Sequence, residues 1–206
     1  MIAIVDYRAG NLTSVARALE YLGHRCEITD RPERIASAER VILPGVGAAG
    51  ATMDNLRALG LDRVLREEVI AKGTPFLGIC IGIQILLDRS EEDDARCLGV
   101  IAGHVARFPN QLGGRPLKVP QIGWNRVHQV KSHPLFAEVP DNTHFYFVNS
   151  YYPIPADSAV AIATCEYGVS FTAAIARGNL VATQFHLEKS GPAGLRLLDN
   201  FCRLVN

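Results

Sequence analysis

The stretch Thr74-Pro75-Phe76-Leu77-Gly78-Ile79-Cys80-Ile81-Gly82-Ile83-Gln84-Ile85-Leu86-Leu87 constrains the fold more than any other part of the chain. Pro75 to Ile79 reads as a buried strand and Gln84 to Leu87 as a helix, with a cysteine between them flanked by glycine at i−2 and i+2. A strand that turns sharply into a helix throws the side chain at the bend outward, and small neighbours make room for the strained turn. This is the logic of the G-x-S-x-G nucleophile elbow, written with sulfur. A helix N-terminus behind the bend offers free N–H groups and a positive dipole end, which favour thiolate. The same residues also fit an inert cysteine in a buried strand-to-helix turn.

On either side of this stretch, apolar runs alternate with helical spacing. Ile2 to Val5, Cys26 to Thr29 and Arg40 to Leu43 read as strands. Leu12, Val15, Ala16, Leu19 and Leu22 recur at helical intervals before Gly23, and further helices are expected over Met53 to Leu59 and Leu61 to Ala71. Such alternation predicts a central, mostly parallel sheet with flanking helices, its site at the carboxyl ends of the strands. From Gly99 onward the pieces are strand-like: Val100 to Ala102, His104 to Phe108, Arg126 to His128, His144 to Val148 and Ala159 to Thr164. Phe171 to Ala176 and Leu180 to Gln184 flank Arg177-Gly178-Asn179, a hairpin turn, so an antiparallel portion is added to the sheet. Gln111 to Pro116 reads as a loop and Glu91-Glu92-Asp93-Asp94 as a solvated acidic turn. Leu195, Leu198, Phe201, Cys202 and Val205 mark a closing helix. No composition shift divides the chain, so residues 1–206 read as a single domain.

Charge narrows the functions open to such a domain. Lysine plus arginine and aspartate plus glutamate number 21 each, which argues against a nucleic-acid surface or a basic membrane anchor. No apolar run approaches the ~20 residues of a membrane helix. Cys26, Cys80, Cys97, Cys165 and Cys202 are scattered and never in C-x-x-C spacing, so no metal site or disulfide framework is expected. A cytoplasmic protein is the resulting expectation.

A nucleophilic cysteine needs a base, and the base a group to orient it. Six histidines compete, and only His186 has an evident companion, in Gln184-Phe185-His186-Leu187-Glu188-Lys189-Ser190. If the backbone stays extended there, His186 and Glu188 project to one face and Phe185 and Leu187 to the other. A surface His-x-Glu at a strand end is the plain alternative. The glycines of Pro44-Gly45-Val46-Gly47 would let the Val46 peptide rotate cheaply to offer an N–H, and they equally fit a tight turn.

Gly78 to Gln84 together with Gln184 to Ser190 resemble the class I, triad-type glutamine amidotransferases. Four more stretches resemble the histidine-biosynthesis branch of that family: Asp6-Tyr7-x-x-Gly10-Asn11-Leu12, Leu43 to Gly47, Pro120 to Asn125, and Phe145-Tyr146-Phe147-Val148-x-Ser150-Tyr151-Tyr152. The resemblance implies a flavodoxin-like fold and a Cys80–His186–Glu188 triad that hydrolyses the glutamine side-chain amide. It also implies an oxyanion hole from the backbone of Val46, Gly47 and Ile81, with the Val46 segment rotating into place on activation. It assigns glutamine binding to Gln84, Ser150 and Tyr151, and no cofactor. Ammonia would pass to a (β/α)8-barrel cyclase subunit in a heterodimer, with Asn11 and Trp124 at the interface; a lone tryptophan also fits the core. Two positions depart from the family: Leu187 stands where proline is common, and Asn149 where histidine is frequent. Related readings are an amidotransferase for surface-sugar biosynthesis, a stand-alone cysteine hydrolase, and a degenerate binding subunit.

Overall fold

Short apolar segments whose residues alternate between two buried faces form the centre of the computed structural model, which describes residues 1–8 and 10–204. Strands β1 (Ile2–Val5), β2 (Cys26–Thr29), β3 (Arg40–Leu43), β4 (Phe76–Ile79), β5 (Gln121–Gln129), β6 (Thr143–Asn149), β7 (Ala161–Tyr167), β8 (Val169–Arg177) and β9 (Leu180–Thr183) join in one sheet. Their spatial order is β6, β5, β7, β8, β9, β4, β3, β1, β2. From β9 to β2 neighbours are parallel; from β6 to β9 they are antiparallel. The inner strands of the parallel half, β1, β3, β4 and β9, are almost wholly apolar because both of their faces are covered, whereas the edge strand β2 carries Glu27 and leaves Ile28 exposed. Ile2, Ile4, Ile42, Leu77, Ile79 and Val181 pack to one side. Ala3, Val5, Val41, Leu43, Phe76, Leu180 and Ala182 pack to the other.

Helices α1 (Leu12–Tyr21) and α6 (Gly191–Arg203) cover the first face through Leu12, Val15, Leu19, Leu197, Leu198 and Phe201. The second face carries α2 (Pro32–Ala36), α3 (Ala49–Ala58), α4 (Leu61–Arg63, running into π-helical turns over Val64–Ile70) and α5 (Ile81–Gln84). The expected closing helix is α6; Val205 lies outside the described residues.

Several expected boundaries move. The helix expected at Met53 begins at Ala49, the one expected to run evenly to Ala71 widens into π turns, and the elbow helix is a single turn that ends at Gln84. Val100 to Ala102 is not a strand: the N–H groups of Val100 and Ile101 both donate to Leu86 O, folding the segment over the end of the elbow. The loop expected over Gln111 to Pro116 is a small hairpin, Gln111–Leu112 against Arg115–Pro116, and the turn after β8 is a two-residue hairpin with Gly178 at φ 57. Strands Arg89–Ser90, Ala95–Arg96, Gly103–Arg107 and Tyr151–Pro155 form a second sheet beside the first.

Candidate active site

The centre of the sheet determines what surrounds Cys80. β4 ends at Ile79, and Cys80 adopts φ 57 and ψ −103 before α5 begins at Ile81. Such a conformation costs a residue with a side chain about 1–3 kcal/mol and persists only where the surroundings enforce it. Here they do. Cys80 N–H donates to Thr183 O at 2.8 Å, and its carbonyl accepts from Ile83 N–H at 3.1 Å. A Cβ at Gly82 would lie 2.2 Å from Leu43 O, and one at Gly78 would lie 2.8 Å from the Gly82 carbonyl, so the flanking glycines let β3, β4 and α5 close on one another. Because α5 is one turn long, its dipole contributes little to the thiol. What it does supply is the Ile81 N–H at its start, which has no acceptor within the helix.

β9 lies beside β4 in parallel, with Thr183 opposite Ile79. The chain leaving it does not stay extended, as the alternation argument requires; Leu187–Lys189 forms a 3-10 turn. His186 and Glu188 still meet, His186 Nδ1 lying 2.7 Å from Glu188 Oε1, both side chains almost wholly buried. Phe185 and Leu187 are buried in the core, so Leu187 in place of proline leaves the turn and its hydrogen bond intact. The pair is held from three sides. Asn11 Nδ2 donates to Glu188 Oε1 at 2.5 Å. Ser190 Oγ donates to His186 O at 2.5 Å and accepts from Tyr146 N–H at 2.9 Å. His186 N–H donates to Tyr146 O at 3.0 Å.

Electrostatics follow from that packing. Burial pushes the His186 imidazole down, but the nearby Cys80 sulfur, followed by Glu188, outweighs it and raises its pKa to about 10. Burial pushes Glu188 up, and His186, with help from Asn11, more than reverses this, so its carboxyl lies below the usual carboxylate range. His186 Nε2 makes no well-formed hydrogen bond in this state. Gln184 Nε2 points at the sulfur from 3.7 Å.

Cys80 opens on a cleft of about 260 Å³ whose walls include Val46, Gly47, Ile81, Gln84, Glu92, Asn149, Ser150 and Tyr151. Every residue expected to bind glutamine or to form the oxyanion hole therefore lines one space. Gln84 Nε2 is tied to Tyr151 O and to Gln184 Oε1, both at 3.0 Å, so its amide is fixed in direction. Asn149 donates Nδ2 to Tyr151 O at 3.0 Å and leaves its Oδ1 buried without a partner at the cleft wall. Of the two residues expected at a partner interface, Trp124 is 55 % exposed on β5, edge-on to Tyr146. Asn11 instead turns its side chain inward to Glu188.

Glu92 is the residue that sequence reasoning passed over. Far from being a solvated charge, it accepts from Ala49 N–H at 2.8 Å and lines the cleft. Burial holds its carboxyl above the usual range, against the pull of that N–H. An acidic tetrapeptide carries no local sign of which side chain turns inward; the contact comes from α3, far away in sequence.

A family model for class-I glutamine amidotransferases matches residues 3–205, and the chain belongs to that family. Its fold agrees: a solved glutamine amidotransferase superposes with a TM-score of 0.75 at 19% identity, covering 98% of both chains. Another, from Thermotoga maritima, gives 0.68 at 20% identity over 98% of this chain and 82% of that one. Relatives at higher identity are narrower in kind. Imidazole glycerol phosphate synthase subunit HisH of Dehalococcoides mccartyi is 49% identical, covering 100% of this chain and 98% of that protein. Its namesakes in Chloroflexus aurantiacus, at 51% over 98% and 95%, and in Nitratidesulfovibrio vulgaris, at 52% over 98% and 96%, match as fully. Within the class-I amidotransferases, the chain belongs with these HisH subunits.

Proposed function

We propose that this chain is the glutaminase subunit of an imidazole glycerol phosphate synthase, releasing ammonia from glutamine for a cyclase partner in histidine biosynthesis. The observation that carries the proposal is a cleft of amino-acid size floored by Cys80, with the buried His186–Glu188 pair directly behind the sulfur. At about 260 Å³ it falls just below the ~300–1,000 Å³ of pockets for drug-sized ligands.

In the proposed reaction Cys80 sulfur attacks the side-chain amide carbon of glutamine. His186 holds the proton that Cys80 gives up and passes it to the leaving nitrogen, so ammonia departs and a thioester remains. Glu188 keeps the Nδ1 proton in place and stabilises the imidazolium; Asn11 and Ser190 keep Glu188 and His186 aligned. Water activated by His186 then opens the thioester and releases glutamate. Ile81 N–H and, after rotation, the Val46–Gly47 segment receive the negative charge on the amide oxygen, each such donor contributing about 2.7–4 kcal/mol. Glu92 is the acidic group in the cleft wall and suits the substrate's α-ammonium, with Gln84, Ser150 and Tyr151 around it.

Free ammonia is protonated in water, so the reaction calls for delivery to a docked cyclase subunit, a (β/α)8 barrel receiving it through its interior, and exposed apolar residues offer such a partner contact. Val46, Ile122 and Trp124 are 40 %, 56 % and 55 % exposed, and among the described residues no helix is long and apolar enough to cross a membrane. The test is glutamate release from glutamine with and without the cyclase subunit and its nucleotide. Strong stimulation by both is expected; equal hydrolysis without either would mark a stand-alone hydrolase, and silence throughout a degenerate subunit.

A further inference from the structure

Tyr7 lies two residues beyond the end of β1 and is 1 % exposed, yet its hydroxyl makes no well-formed hydrogen bond. Thr52, also buried, is a polar neighbour without a well-formed bond to it. Buried hydroxyls are nearly always satisfied, so an orphan calls for a reason. Its surroundings supply one. A Cβ built on Gly45 would sit 1.6 Å from Tyr7 Oη and 2.8 Å from the ring carbon that bears it, with an Ile81 methyl at 3.1 Å. The unpaired oxygen is therefore pressed against the α-carbon on which the Gly45–Val46 peptide turns. It lies on the buried side of that segment, while Val46 and Gly47 face the cleft on the other.

The N–H and C=O of a trans peptide point in opposite directions. Turning the Gly45–Val46 peptide so that Val46 N–H faces the Cys80 side of the cleft sends the Gly45 carbonyl the other way. We infer that Tyr7 is a positioning residue for the oxyanion hole, its hydroxyl donating to the Gly45 carbonyl once that peptide has turned. The inference rests on the gated oxyanion hole proposed above. In the resting state described here the hydroxyl is held unsatisfied, which raises the energy of that state; after rotation it is satisfied. Tyr7 would thus shift the equilibrium toward the competent arrangement without touching substrate, and a glycine at 45 is required both for the turn and for the closeness of the ring.

Tyr7→Phe removes only the oxygen and keeps the ring. In the assembled synthase with glutamine and the cyclase's nucleotide, the variant is expected to lose about tenfold in glutaminase kcat, the scale of one lost hydrogen bond to a buried carbonyl. KM for glutamine should stay within about twofold. The thermal midpoint of the resting chain should be equal or higher, because an unsatisfied buried group has been removed. A kcat within about twofold of the parent overturns the inference. So does a loss of kcat accompanied by a lower midpoint, the result expected of a residue that only packs. Val46→Pro, which deletes the N–H itself, runs alongside. A large loss there with Tyr7→Phe unaffected leaves the gated hole standing and removes Tyr7 from it; unchanged turnover in Val46→Pro removes the hole and Tyr7's part in it together.

Discussion

Glu188 has more demands on it than any other single side chain in the site. It accepts from His186 and from Asn11 on the same oxygen, which fixes the ring's tautomer and ties the first loop of the chain to the last strand's exit. The two shifted groups make a testable pH pattern. The carboxyl of Glu188 is held low in the folded chain, so its stabilising contribution is complete above its ordinary pKa of about 4.3 and is lost as pH falls through the folded value. The imidazole of His186 is held high, at about 10, so its contribution is complete below the ordinary value of about 6.5 and is lost as pH rises toward 10. Urea midpoints of the parent and Glu188→Gln, measured across pH, should differ most between about pH 4.3 and 6.5 and converge toward both extremes. A difference that does not change with pH would mean that the pair is not ionised in the folded chain. Cys80 was legible from the glycines around it, whereas the extended-backbone rule that paired His186 with Glu188 fails at the 3-10 turn, and the family resemblance rather than local spacing joined them to the sulfur. Glu92 and Tyr7 were not legible: one owes its place to an N–H on α3, the other to the α-carbon of Gly45. Neither contact leaves a periodicity.

At the level of elements, the inner strands of the parallel half were the easiest to read, since burial on both faces turns them into nearly uninterrupted apolar runs. Helix ends were harder. Ala49 offers only a methyl group and Gly50 no side chain to announce the first turn of α3, and the carboxylate that receives Ala49 N–H lies 43 residues on. The step from β9 to His186 was read as extended, and its 3-10 turn reaches the same hydrogen bond by another route: Lys189 N–H donates to His186 O and folds Glu188 back under the ring. The elbow depends on two close approaches rather than on propensity. Gly82→Ala would place a methyl carbon 2.2 Å from Leu43 O, a backbone atom that cannot move without parting β3 from β4. The variant should lose at least the ~1–3 kcal/mol typical of an overpacked core, read as a lower denaturant midpoint. An unchanged midpoint would show that the elbow is looser than these contacts imply.

Across the whole molecule, Trp124 connects the exposed side of the sheet with the interior. It stands opposite Tyr146 on the neighbouring strand, and Tyr146 in turn bridges to His186. Trp124→Ala should weaken association with the cyclase by roughly 2 kcal/mol, as interface tryptophans commonly do, while the chain's far-ultraviolet circular dichroism stays the same. Calorimetric titration decides the point, and unaltered affinity would remove Trp124 from the interface. The adjacency of β4 and β9 has a further consequence. Cys80 and the turn that carries His186 leave the ends of two rails of one ladder, bolted together by main-chain hydrogen bonds in the middle of the sheet. Beside the path through Tyr146, a bound neighbour has one short piece of unbolted track through which to speak to this machinery, the glycines that follow β3.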